Sequence, residues 1–195
     1  MNGVQTCALP IYGAGDRRVA LSVIDQTPTV TTPAADWGIN QIIGEYSTPY
    51  YPDAARTQNL VAGTAAINGT IVMPGEVFSL TDALGPIDEE HGFASAGVVT
   101  NGQHTDAIGG GLSQVATTVF NAGFEAGMDD VEHTPHNYWF TRYPAGREAT
   151  LWTGNLDVKF GNSTPTAVMV QAWAVDGEVQ DRKSTRLNSS HGSAS

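Results

Sequence analysis

The stretch AIGGGLSQVATTVFNAGFEAG, Ala107 to Gly127, holds the chain's strongest chemical signal. Three glycines, Gly109, Gly110 and Gly111, give a backbone that can bend sharply and approach another group closely. Leu112, Val115, Ala116, Val119, Phe120 and Ala126 then fall on one face of a helix. Ser113, at the start of that helix, has the helix dipole and nearby backbone N–H groups that could serve as an oxyanion hole. A serine nucleophile needs a base, and EHTPHNYW offers His133 and His136. The bland alternative is a serine that caps the first turn. As a phosphate cradle the loop lacks both the Gly-Lys-Ser/Thr ending and the G-x-G-x-x-G spacing. His104, Asp106, His133 and His136 could ligate a metal, but His-x-x-His alone is a weak zinc spacing and His-Glu-x-x-His is absent. No metal and no cofactor is expected. DDVE (Asp129 to Glu132) and DEEH (Asp88 to His91) read as solvated turns. Tyr138, Trp139, Tyr143 and Trp152 suit either the core or stacking on sugar rings.

The two ends differ from everything between them. Write Val4–Ile11, VQTCALPI, as GTT CAG ACG TGT GCT CTT CCG ATC. The reverse complement, GAT CGG AAG AGC ACA CGT CTG AAC, translates to DRKSTRLN, which is Asp181–Asn188. One end is the antisense of the other, as when a single adapter is ligated to both ends of a DNA fragment and translated. Residues 1–11 and 181–195 are therefore read as adapter-coded, with no place in the packed domain. The single cysteine, Cys7, goes with them. Setting aside Asp181, Arg182, Lys183 and Arg186 moves the net charge from −11 to −13 and leaves one lysine, Lys159. Such an acidic chain is repelled by nucleic acid and by anionic membrane surfaces. No apolar run approaches the ~18 residues of a membrane helix.

The elements that would position these residues can be read in order. RRVALSVIDQTPTVTTP reads as strand, then linker, and IIGEYSTPYYP as a second strand. Asp53 is a fitting N-cap for a helix over Ala54–Asn68. TIVMPGEVFSL reads as strand, turn, strand, and AGVVTNGQHTDA as a strand with a turn at Asn101–Gly102. The second main helix spans Leu112–Ala126. YPAGREATLWTG, NLDVKFGNSTPT and AVMVQAWAVDGEVQ follow as turn-bounded strands, the last hairpin turning at Asp176–Gly177 and cut in mid-strand. The expected fold is α+β, two main helices on a largely antiparallel sheet.

Four motifs in order, RTQNLVAGTAAINGTIVMPGEVFSL, GPIDEEHGF, GGGLSQVATTVFNAGFEAG and HNYWFTRYPAGREATLWTGNLDVKFGN, resemble the VanW family, cell-envelope proteins named for an accessory protein of the vancomycin-resistance cluster. The resemblance covers residues 44–180. Residues 12–43, with VALSVIDQTPTVTT, resemble the end of the peptidoglycan-binding type of domain that often precedes it. It implies an extracytoplasmic place and a membrane link only through an N-terminal anchor further upstream. Many members carry a cysteine where this chain has Ser113. The expected function is an accessory domain that binds or organises peptidoglycan or its precursors. One alternative is acyl transfer on cell-wall peptides by Ser113 and His136, and another is a structural module of a longer anchored protein. The site is expected at the start of the second helix, with Gly109, Gly110, Gly111, Gln114, His133, Arg142 and Arg147 binding substrate around one cleft.

Overall fold

A computed structural model of the chain describes residues 39–100, 103–137 and 140–186. The expectations for residues 1–38, the Asn101–Gly102 turn, Tyr138, Trp139 and residues 187–195 lie outside it.

Strand β1 (Ile39–Pro49) leads into helix α1 (Ala54–Ile67), whose N-cap Asp53 accepts a hydrogen bond from Arg56 N. Short strands β2 (Ile71–Val72) and β3 (Val77–Ser79) follow, then a one-turn helix α2 (Leu80–Leu84). The hairpin β4 (Ser95–Thr100) and β5 (Gln103–Ile108) precedes helix α3 (Leu112–Glu125). Strands β6 (Asp129–Glu132), β7 (Lys159–Gly161), β8 (Val168–Val175) and β9 (Glu178–Arg186) complete the order. All described strand pairs are antiparallel: a four-stranded sheet β1-β9-β8-β2, a three-stranded sheet β3-β7-β6, and the separate β4-β5 pair. The fold is α+β.

The core follows from periodicity. Leu60 and Ile67 of α1 and Val115, Ala116 and Val119 of α3 turn toward Val168, Val170 and Ala172, the inward positions of β8. Phe78 and Phe160 stack at 4.7 Å and join the smaller sheet to it. The end of α3 crosses β1 so closely that a Cβ at Gly44 would lie 2.4 Å from Ala126 N.

Besides YPAGREATLWTG, read as a strand but irregular apart from an isolated bridge between Trp152 and Leu156, three expectations change. DDVE is strand β6 rather than a turn, because its backbone pairs with Asp129 opposite Gly161 and Asp130 opposite Phe160. Leu80–Leu84 is helical because Ser79 Oγ accepts from Asp82 N, and Asp157 accepts from Thr81 N and from both hydroxyls, Ser79 and Thr81. The third change concerns the C-terminal segment. Asp181–Arg186 is not outside the packed domain: it continues β9 between β8 and β1. Ladder hydrogen bonds use only backbone groups, so the Asp176–Gly177 turn can feed any extendable sequence into that slot. The side chains register the mismatch. Val179, Asp181 and Lys183 share the inward face, and the last two are 1% and 0% exposed.

Candidate functional site

The glycine run has a structural explanation at each position. Gly109 (φ +79°) and Gly111 (φ +101°) are left-handed, and a Cβ at Gly110 would lie 2.1 Å from Ala96 O. Gly111 is the N-cap of α3 and has no side chain to cap with, so the first N–H groups of the helix lack a side-chain cap. Ser113 does not cap either. Its hydroxyl accepts a hydrogen bond from Leu151 N at 3.1 Å and pins the Ala149–Leu151 segment against α3.

Gln114, 1% exposed, is the hub of this end. Its Nε2 donates to Thr48 O, Thr48 Oγ1 and Pro49 O, and its Oε1 accepts from Arg56 Nη2 at 2.7 Å. Arg56 thereby lies across Gly111, where a Cβ would come within 3.1 Å of its Cγ. Burial lowers the pKa of Arg56, and the positive charge of nearby Arg142 lowers it further. Arg142 is exposed and sits over the rings of Phe140 and Tyr143, at 4.4 and 4.6 Å. Tyr143 is buried, and burial raises its hydroxyl pKa although Arg142 hydrogen-bonds to it.

His136 belongs to the same electrostatic neighbourhood but makes no hydrogen bond to Ser113 among the described residues. Its Nδ1 stands 3.2 Å from Glu148 Oε2, at ion-pair distance without hydrogen-bond alignment. Burial pushes the pKa of His136 below its ordinary value; Glu148 pulls it back up, and Arg142 adds to the lowering. Glu148 Oε1 accepts from Phe140 N, which fastens the Phe140–Tyr143 turn to this carboxylate.

The other two predicted residues lie away from the start of α3. His133 stacks on Phe120 at 4.1 Å and pairs with Asp130 at 2.7 Å; Phe120 is eight residues, or about 12 Å, along the helix from Leu112. Arg147 pairs with Glu125 at 2.6 Å and lies over the Phe124 ring, at the far end of α3. The structure thus gathers Gly109, Gly110, Gly111, Ser113, Gln114 and Arg142 at one end and separates His133 and Arg147 from them. Sequence reasoning missed Arg56 and Glu148, and offered Tyr143 to the core or to sugar stacking, not to this charge cluster.

Charge pairing sets Arg56 and Arg142 apart. Between residues 39 and 180 there are only four arginines and lysines. Arg147 pairs with Glu125, and Lys159 with Glu132 at 2.7 Å. Arg56 and Arg142 form no ion pair with a carboxylate among the described residues, in a chain with 20 acidic residues. Two neighbouring guanidiniums can receive an anion, a carboxylate bidentately above all. Two concavities among the described residues lie elsewhere, one lined by Phe120, Phe124 and Met128, the other along β1 and β9 by Tyr46, Gln180 and Arg182.

Comparison with known proteins points one way. The chain is 28% identical over 169 residues to the uncharacterized protein YoaR of Bacillus subtilis, covering 86% of this chain and 56% of that protein. It is 26% identical over 111 residues to the vancomycin B-type resistance protein VanW of Enterococcus faecalis, covering 54% of this chain and 40% of that one. It therefore spans about half the length of these curated relatives or less. No solved structure matches. Among the described residues no helix is long and apolar enough to cross a membrane. The family model described as VanW like protein matches residues 55–182, from the first turn of α1 into β9 and including Arg56, the glycine run, Gln114 and Arg142, and the chain belongs to that family.

Proposed function

We propose that this VanW-like domain is an extracytoplasmic accessory module that binds peptidoglycan or its precursors by holding a carboxylate of the wall peptide between Arg56 and Arg142. One observation carries the reading: these two arginines face each other's charge, only partly offset at Arg56 by Asp53, and neither makes an ion pair with a carboxylate among the described residues. Leaving two like charges together costs electrostatic energy that a bound carboxylate returns. Gln114 and the rings of Phe140 and Tyr143 hold the guanidiniums in place before the ligand arrives. The similarity to a vancomycin B-type resistance protein supports a place in the response to wall-targeting glycopeptides.

Retention on insoluble peptidoglycan at moderate salt tests this. The parent protein is expected to be retained, and Arg142→Ala to lose most of its retention. Arg142 is exposed, so its loss leaves the core intact. Arg147→Ala removes a guanidinium paired at the far end of α3 and should bind like the parent. A parent that is not retained, or an Arg142→Ala variant retained as well as the parent, overturns the reading.

Ser113→Ala separates binding from acyl transfer. The hydroxyl's role is to receive Leu151 N, so the variant should lose about 1 kcal/mol of stability and keep its retention on the wall. Turnover of a cell-wall peptide by the parent, abolished in this variant, would establish the enzyme instead.

A further inference from the structure

Two large aromatic side chains stand out in solvent on segments that reach the first turn of α3. Tyr51 is 93% exposed and Trp152 60%. Each follows directly on a segment bonded to the first turn of α3. Gln114 Nε2 donates to Pro49 O, and Tyr50 N donates to Gly177 O, which fixes the chain just before Tyr51. On the neighbouring side, Ser113 Oγ receives Leu151 N, and Trp152 and Leu156 exchange backbone hydrogen bonds that close a tight turn. The indole is therefore borne on a fixed turn rather than on a loose loop. Tyr50 lies close enough to Arg56 to influence its charge, so the Tyr50–Tyr51 segment borders the same guanidinium.

Exposed rings on hydrogen-bonded supports can stack on a ligand with little further loss of freedom. A sugar ring offers apolar C–H faces to such a surface, and the adjoining guanidiniums demand a negative group. We infer that the site takes an N-acetylated amino sugar bearing an acidic peptide as one unit, with the peptide carboxylate on Arg56 and Arg142 and the sugar face on Trp152, Tyr51 lining the opposite side. This rests on the wall-binding reading above and narrows it: neither a bare glycan nor a bare peptide satisfies both halves.

Calorimetric titration of the whole protein with three soluble probes tests the inference. The probes are N-acetylmuramyl-L-alanyl-D-isoglutamine, the same dipeptide N-acetylated in place of its sugar, and the trisaccharide of N-acetylglucosamine. The sugar-bearing dipeptide should bind about tenfold more tightly than the free dipeptide, and the trisaccharide should give no saturable signal. Trp152→Ala should erase that tenfold difference and leave the free dipeptide's affinity unchanged, while Arg142→Ala should weaken both acidic probes. Equal affinity for the two acidic probes, unaltered by Trp152→Ala, overturns the inference and leaves the arginine reading standing. Saturable binding of the trisaccharide would overturn the claim that a bare glycan does not suffice, and acidic-probe affinities that Arg142→Ala does not change would overturn the carboxylate contact itself. Absence of binding by the sugar-bearing dipeptide also overturns the inference, while retention on insoluble wall decides the broader reading separately.

Discussion

Asp181→Val and Lys183→Met, introduced together, should raise the melting temperature by several degrees, whereas Asp181→Val alone should lower it. Both side chains lie on the inward face of β9, and they pair with each other through Asp181 Oδ1 and Lys183 Nζ. Lys183 Nζ also stands over the Phe160 ring at 5.0 Å. Asp181 Oδ2 has no hydrogen-bond partner among the described residues. Burial costs more than the pairing returns: it raises the Asp181 pKa from 3.8 to about 6 and lowers that of Lys183. Replacing such a pair by packed apolar groups is commonly neutral or stabilising by about 1–4 kcal/mol, while removing one partner costs about 3–5 kcal/mol. Methionine suits position 183 because its unbranched chain can follow the path of the lysine stem.

The pH dependence follows from the same shifts. A carboxyl with a folded pKa above its unfolded value is penalised once the pH exceeds the unfolded value. Its cost is therefore absent below 3.8 and fully present above about 6. The advantage of the double variant should shrink as the pH falls through that window. Thermal melts at several pH values measure it, and a double variant less stable than the parent at pH 7 would refute the argument.

That strand also marks where sequence reading misleads. The antisense relation between Val4–Ile11 and Asp181–Asn188 is a statement about codons. It does not bear on whether a backbone can complete a sheet, and β9 shows that this backbone does. What the codons foreshadow is the side-chain mismatch, a charge pair where Val168, Val170 and Val179 set the local pattern.

Elsewhere, local signals were legible. The Asp53 cap and the apolar spacing after Leu112 place the two main helices within one residue of their observed ends. The glycine run and Arg142 point to the end of α3 where the candidate site lies. Arg56 was not legible, because its meaning comes from Gln114, 58 residues away, and from Arg142 beyond it. Its signal lay in scarcity: with four basic residues between positions 39 and 180, each one without a carboxylate partner stands out. His133 and Arg147 misled for the opposite reason. Both are near α3 in space, but a 14-residue helix is about 20 Å long, and nearness to it does not say which end.

Gly110→Ala should be among the most destabilising single changes in the domain, although it adds only a methyl group. The new Cβ would stand 2.1 Å from Ala96 O and 2.4 Å from Ala96 C, both backbone atoms of β4. A flexible side chain could swing aside, but a strand carbonyl moves only with its strand. The strand is held: Asn59 Nδ2 donates to both Ala94 O and Gly110 O, Asn59 Oδ1 accepts from Ala94 N, and Gly109 N donates to Ala94 O. Asn59 is fully buried, so opening this knot leaves polar groups without partners. Overpacking by one methyl commonly costs about 1–3 kcal/mol, and each lost buried hydrogen bond adds about 1–3 kcal/mol. The start of α3 would shift relative to Arg56, so retention on peptidoglycan should fall together with stability. Gly97→Ala is the control. It lies in β4 as well, without a left-handed φ, and the nearest atom to its Cβ would be Asp106 Oδ1 at 4.0 Å. That variant should melt within a degree or two of the parent, the small entropic gain of alanine in the unfolded chain working in its favour. Equal melting temperatures for Gly110→Ala and Gly97→Ala would show that β4 and the glycine run are not locked together, and the geometric case for a preformed site at this end of α3 would fall with them.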